Sequence, residues 1–217
     1  FFELREQLLD FIATAVLPAR AVYAAQRREH ADPMRAPQPR VLKELQAEAR
    51  RRGLWNLFLP EVSRVSVLEY APIAEILGAM PLANVAMNCN APDTGNMEVL
   101  EKFGTPEQKH KWLEPLLNGE IRSAFCMTEP GVASSDATQI STRIERQPDG
   151  NYSVRGHKFY ISGAIRPECE MLLVLGKSRD DGPRHTRHSM IIVPRHHPGV
   201  KILRALAVFG HEHDHAE

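Results

Sequence analysis

The spacing of apolar residues changes once along this 217-residue chain, near Glu120, and that change limits the folds open to it. Before it, apolar positions recur every three to four residues, the period of a helix with one buried face. Leu4, Leu8, Phe11, Ile12 and Ala15 form the first such set, and Pro18 is expected to interrupt it. A second helical stretch runs over 19–30, and the prolines between 33 and 39 mark a loop. Val41, Leu42, Leu45 and Ala49 predict an amphipathic helix ended by Gly53, followed by an apolar connector over 54–60 that should be buried. Leu68, Pro72, Ile73 and Ile76 predict a helix ending near Gly78, with Pro72 tolerable only near its beginning. Residues 96–103 read as a short helix closed by Gly104. Thr105-Pro106-Glu107-Gln108 then has the composition of a capping box and starts a helix through Trp112, Leu113, Leu116 and Leu117 toward Gly119.

After Glu120 short alternating runs take over. Strands are expected over 123–128, around Ile140, Thr142 and Ile144, from Tyr152 through Val154, and over 158–162, 171–176 and 189–194. Pro148-Asp149-Gly150-Asn151 has the composition of a hairpin turn. The fold class expected is α+β: an all-α domain over 1–120 followed by an antiparallel β-barrel or sandwich over 121–217.

Composition narrows function mainly by exclusion. Lys plus Arg equals Asp plus Glu, 27 against 27, which argues against a nucleic-acid binder. Hydrophobic residues are 43% and charged residues 25%, the balance of a water-soluble globular chain. No uninterrupted apolar run reaches the ~20 residues of a membrane helix, so no span is expected. The N-terminus, Phe1-Phe2-Glu3-Leu4-Arg5-Glu6, lacks the layout of a signal peptide and an initiating Met, so the chain reads as incomplete at that end. Cys89, Cys126 and Cys169 are odd in number and far apart, which reads as reduced thiols in a cytosolic-type compartment. No Gly-x-Gly-x-x-Gly and no P-loop occurs, so neither classical nucleotide cradle is supported.

Two stretches carry candidate chemistry. Phe125-Cys-Met-Thr128-Glu-Pro-Gly131-Val-Ala-Ser134-Ser135-Asp136 runs from an apolar strand into a turn rich in hydroxyls. Such a strand end could offer backbone groups to a ring edge and serines to phosphate oxygens, although serines also serve ordinary turns. Gly156-His-Lys158-Phe159-Tyr160-Ile161-Ser162-Gly163 is, on its residues alone, a strand with an aromatic pair.

Together these stretches resemble the flavin-binding signature of the acyl-CoA dehydrogenases, in the branch with Val-Ala-Ser-Ser-Asp-Ala-Thr. The helical hairpin over 102–120 is similar to the one that precedes the flavin strand in that family, whose usual glycine-rich loop is absent between Glu61 and Leu68. The resemblance implies FAD as cofactor, with Phe125, Met127 and Thr128 lining the isoalloxazine ring. Tyr160 stands at an aromatic position where Trp is usual, and Ser162 at a hydroxyl position where Thr is usual. Ile161 lies between them. Ala133, Ser134 and Ser135 would approach the ribityl-pyrophosphate or the acyl-CoA arm. The extra residue there leaves Ser134 and Ser135 as a pair, both candidates for substrate contact.

The implied reaction is α,β-dehydrogenation of an acyl-CoA thioester to a trans-2-enoyl-CoA. Implied partners are an electron-transfer flavoprotein or similar acceptor and further copies in a homodimer or homotetramer. The expected location is the cytoplasm, or a mitochondrion or peroxisome in a eukaryote. A flavin-dependent oxidase or monooxygenase on the same scaffold, and a non-catalytic flavin-binding module, are the alternatives. The family's catalytic base comes from a C-terminal helical domain, so no catalytic residue is assigned here. Glu98 and Glu101 match no base position, and Glu129 is expected to shape its turn. His211, His213 and His215 alternate as strand ligands could, but nothing fixes a further ligand, so no metal is expected.

Overall fold

The computed structural model describes residues 2–32, 34–208 and 211–217, with the side chains of 211–213 outside that description. The chain forms two compact units, 1–120 and 121–217.

In the first unit, helix α1 (Phe2–Phe11) passes through a π-turn at Ile12–Val16 into α2 (Leu17–Arg27) without breaking. Pro18 therefore does not end the helix. Its ring and missing N–H disfavour a regular α-turn, and the π-turn before it lets the Leu17 amide reach back to the Ile12 carbonyl. Pro115 repeats the device. α8 (Pro106–Gln108) opens with the Thr105–Gln108 capping box, and a π-turn at Lys109–Leu113 leads into α9 (Glu114–Leu117). The continuous helix Phe2–Arg27 is long and apolar enough to cross a membrane by length and composition. Here it buries one stripe, Leu8, Phe11, Ile12 and Val16, while Asp10 on its exposed side pairs with Arg52 at 2.6 Å.

α3 (Arg40–Arg51) buries Leu42, Leu45 and Ala49 and stops before Gly53, whose φ of 71° suits glycine. The connector after it is buried through Leu54, Leu57, Phe58 and Leu59, and the short α4 (Pro60–Ser63) follows. α5 (Val67–Ala79) starts from a second capping box, Ser66 with Glu69, and carries Pro72 six residues in, deeper than expected. The carbonyl that loses a donor to Pro72 belongs to Leu68, at a strongly exposed turn. α6 (Pro81–Ala86) and α7 (Asp93–Phe103) complete the unit. A buried amide hub ties its connectors to the end of α9. Asn88 donates to Asn56 at 2.7 Å and to the Leu116 carbonyl, while Asn56 and the Trp55 indole both donate to the Leu117 carbonyl. Asn56 and Asn88 each have φ 56°, a conformation that asparagine tolerates better than most residues.

Among the described residues the second unit holds eight strands in two open sheets, with no closed barrel. They are β1 (Arg122–Cys126), β2 (Arg143–Arg146), β3 (Tyr152–Arg155), β4 (Ile161–Ser162), β5 (Cys169–Lys177), β6 (His188–Pro194), β7 (Ala205–Val208) and β8 (His211–Ala216). The apolar, largely buried β5 is central. It runs antiparallel to β6 but parallel to β1, and it meets β2 in parallel at Lys177. The all-antiparallel expectation is therefore corrected: this sheet is mixed. The sequence from 126 to 169 loops away and returns in the same direction, a connection that strand periodicity does not reveal. The second sheet, β4–β8–β7, is antiparallel. Ala124, Cys126, Leu172 and Val174 of the first sheet pack with Ile161 and Ala216 of the second. β2 and β3 form the hairpin expected at Gly150, whose φ is 88°. The three cysteines are free and buried, and burial pushes the Cys126 thiol up to about 12.

Candidate functional site

β1 delivers the chain to Met127, Thr128 and Glu129. Glu129 is 3% exposed, yet its carboxylate is well served. It accepts from the Ser141 amide and hydroxyl at 2.8 and 2.6 Å, from the Thr142 amide at 2.8 Å and hydroxyl, and from the Lys158 ammonium at 2.9 Å. Burial pushes this carboxyl up, but donation from Ser141, Thr142 and Lys158 outweighs it and holds Glu129 at about 2. Lys158 also donates to the carbonyls of Met127 and Leu175, each at 2.8 Å, so its three protons have three acceptors. Burial lowers the Lys158 pKa against the opposing pull of Glu129. The two partners thus shift in opposite senses of stability. Five donors on one carboxylate decide for the ionised pair. Gly156 makes room for this cluster, because a Cβ there would lie 2.0 Å from the Thr142 hydroxyl oxygen.

The turn after Glu129 separates the two serines. The Ser134 hydroxyl oxygen accepts from the Glu129 amide at 2.8 Å, and the Asp136 amide donates to the Ala133 carbonyl at 3.1 Å. Asp136 then accepts from the Thr138 amide and hydroxyl, and Arg184 braces it at 2.9 Å. Those hydrogen bonds, Thr138 first, hold Asp136 at about 2. Ser134 is therefore part of the turn's own framework. Ser135 and Ala133 point outward, and the Ser135 hydroxyl has no partner among the described residues.

The second stretch lies directly against the first. The Phe159 amide donates to the Thr128 carbonyl at 3.1 Å, next to the bond from Lys158 to Met127. The strand expected over 158–162 is thereby cut to Ile161–Ser162. Lys158 turns in toward Glu129, and Tyr160 takes φ 55°, which breaks the extended run. That conformation is uncommon for an aromatic residue and leaves the Tyr160 ring 45% exposed, 4.8 Å from the Phe159 ring. Ile161 faces the other way, with its side chain in the core between the sheets, so on the Tyr160 side it offers only its main chain. Ser162 lies opposite His215 on β8, and its hydroxyl is 3.0 Å from His215 Nδ1. The Tyr160 and His215 rings stand edge to face at 6.5 Å. Phe125 is half-buried on β1, alternating with the core residues Ala124 and Cys126, and the Thr128 hydroxyl is without a partner among the described residues.

The sequence reading brought these two stretches forward but missed two participants. Lys158 was visible only as one charge in an aromatic strand. His215 was grouped with His211 and His213 as a possible ligand row. The side chains of those two lie outside the described residues, and among the described residues no cluster suited to a metal occurs. Glu101 pairs with Lys109 at 3.2 Å in the helical unit. A cleft of about 950 Å³ opens on the core side of the second unit, lined by Cys126, Ile161, Ile191, Val193 and Ile202, and includes none of Ser135, Tyr160 or Ser162.

The family model for the acyl-CoA dehydrogenase N-terminal domain matches residues 3–120, and that for the acyl-CoA dehydrogenase middle domain matches 124–217. The chain belongs to the acyl-CoA dehydrogenase family. Among curated acyl-CoA dehydrogenase relatives it is 49% identical over 217 residues to the probable acyl-CoA dehydrogenase FadE2 of Mycobacterium tuberculosis, covering 98% of this chain and 53% of that protein. It is similar in structure to a proposed acyl-CoA dehydrogenase from Mycobacterium abscessus, with a TM-score of 0.91 and 42% identity over 99% of this chain and 55% of that one. An acyl-CoA dehydrogenase from Bacillus anthracis solved in complex with FAD matches at a TM-score of 0.67 and 25% identity, over 99% of this chain and 34% of that one. The chain thus spans about half the length of FadE2.

Proposed function

We infer that residues 121–217 hold FAD, and that the chain is part of an acyl-CoA dehydrogenase that converts an acyl-CoA thioester to a trans-2-enoyl-CoA. The observation that carries this reading is the stitch between the two stretches, Phe159 to Thr128 and Lys158 to Met127, which makes one surface from residues 31 positions apart. What that surface presents fits a flavin. A partnerless Thr128 hydroxyl and a Ser162 hydroxyl offer hydrogen bonds to ring heteroatoms, an outward Tyr160 ring offers an aromatic face, and Ser135 offers a donor for a phosphate or the CoA arm. The FAD-bound relative from Bacillus anthracis supports the choice of cofactor.

In this reading Phe125, Met127, Thr128 and Tyr160 pack and orient the ring, Ile161 contributes main-chain groups, and Ser162 bonds to the ring's reactive nitrogen. Ala133 and Ser135 lie toward the pyrophosphate or the CoA arm, and Ser134 keeps the turn in shape. FAD, when bound, accepts the hydride that leaves the β-carbon. A carboxylate must remove the α-proton in concert, and residues 1–217 assign none to that task. Electrons would pass to an electron-transfer flavoprotein or similar acceptor, in a homodimer or homotetramer.

The test is direct. Purified full-length protein should be yellow, release FAD on denaturation, and bleach anaerobically with an acyl-CoA. Protein that cannot be loaded with FAD defeats the proposal. Fast reoxidation of the bleached flavin by air would move it to an oxidase.

A further inference from the structure

Ser162 has one proton and His215 holds one end of it. The two residues are cross-strand partners on β4 and β8, with the hydroxyl oxygen 3.0 Å from imidazole Nδ1. Among the described residues, the carboxylates that flank His215 in sequence pair elsewhere, Asp214 with Arg166 at 2.5 Å and Glu217, just past β8, with His157 at 2.9 Å. Leu206, its partner on β7, carries no charge. Two arrangements are open to the pair. If Nδ1 carries a hydrogen, it donates to the serine oxygen, and the serine proton is free to point outward as a donor. If Nδ1 is bare, the serine donates to it and turns a lone pair outward as an acceptor.

We propose that His215 is a positioning residue whose tautomer decides whether Ser162 donates to the bound ligand or accepts from it. The proposal rests on the flavin reading above. The reactive ring nitrogen of a flavin accepts a hydrogen bond when oxidised and donates one when reduced. A fixed donor serves one state and opposes the other. A serine backed by imidazole serves both. Between the two arrangements one proton leaves Nδ1 and one is taken up at Nε2, exchanged with water at this half-buried ring, and the charge of the residue is unchanged. The pair therefore adapts to the oxidation state without a charge being created beside the ring.

The experiment uses full-length protein labelled with [15N]histidine, observed by NMR with oxidised and with dithionite-reduced FAD. The signals of His215, assigned by their loss in His215→Asn, should show hydrogen on Nδ1 in the oxidised protein and on Nε2 in the reduced one. In parallel, His215→Phe should keep FAD but change the ratio of its reduced to oxidised affinity three- to tenfold, up to about 30 mV for a two-electron couple. His215→Asn, whose amide can donate or accept, should recover part of that change. A residue that only packs would lower the melting temperature of His215→Phe and leave the potential alone. FAD bound normally with the same His215 tautomer in both states overturns this proposal and leaves the flavin reading standing. Wild-type protein that takes up no FAD overturns both.

Discussion

The hydroxyl of Ser162 meets His215 on one side, and the flavin reading places a ring nitrogen on the other. Loss of one neutral hydrogen bond costs about 0.5–1.5 kcal/mol, so Ser162→Ala in the full-length enzyme should slow flavin reduction or weaken FAD retention several-fold without abolishing either. Stopped-flow bleaching and FAD titration measure both, and no change in either would remove Ser162 from the site. The serine pair separates in the same manner. Ser134→Ala deletes the acceptor of the Glu129 amide and should lower stability by about 1 kcal/mol in a melt. Ser135→Ala should leave the melt unchanged and weaken FAD or acyl-CoA binding. The reverse pattern would exchange their roles. At this scale the sequence showed which residue types were present but not which way each one points. Ser134 and Ser135 sit in a turn with no periodicity to orient them, and the burial of Ile161 follows only from its contacts across the sheets.

The most consequential local feature is the pin between Glu129 and Lys158, which joins the end of β1 to the approach to β4 and to β5. The carboxyl sits at about 2 in the folded chain against an ordinary 4.5. A depressed carboxyl stabilises the fold fully above its unfolded value and loses that contribution as pH falls through the folded one. About 3 kcal/mol should therefore be present above pH 4.5 and drain away toward pH 2, seen as a steepening of stability against pH in urea melts. Glu129→Gln should flatten that segment, and a wild-type profile in the variant would refute the assignment. Lys158→Met should cost roughly 3–5 kcal/mol by stranding the carboxylate. Element types were legible along most of the chain, since each side's period is strong. Lengths and breaks were less so. Pro18 reads as a helix stop, yet a π-turn carries the helix past it, as another does before Pro115 in the helix expected through Leu117. The strand near Tyr160 was overextended because a lysine drawn to a buried carboxylate is invisible to a count of apolar positions.

For the whole molecule, the change of period near Glu120 and the two motifs were sufficient to anticipate helices before sheets. The parallel pairing of β1 with β5 was not, because residues 127–168 intervene and strand pairing over that distance leaves no local pattern. The proposed reaction depends on two groups acting on one substrate. Positioning of reacting groups supplies ~7–11 kcal/mol of such a barrier, and a base left in solution forfeits most of it. The fragment 1–217, loaded with FAD and mixed anaerobically with a panel of acyl-CoAs, should therefore not bleach at a meaningful rate. Bleaching near the full-length rate would mean that a base lies within it, to be sought among Glu98, Glu101 and Glu129.

Lys158 has a further consequence in a protein proposed to handle thioesters. Acyl-CoA molecules are acylating agents, and they attack amines that have lost a proton and can be reached. A lysine whose pKa burial has lowered would ordinarily be a preferred target. This one is 12% exposed and donates to two carbonyls and a carboxylate, which holds it as an ammonium with no lone pair to offer. The bonds that hold the two ligand-facing stretches together thus also shield the amine nearest to them from covalent damage by the proposed substrate.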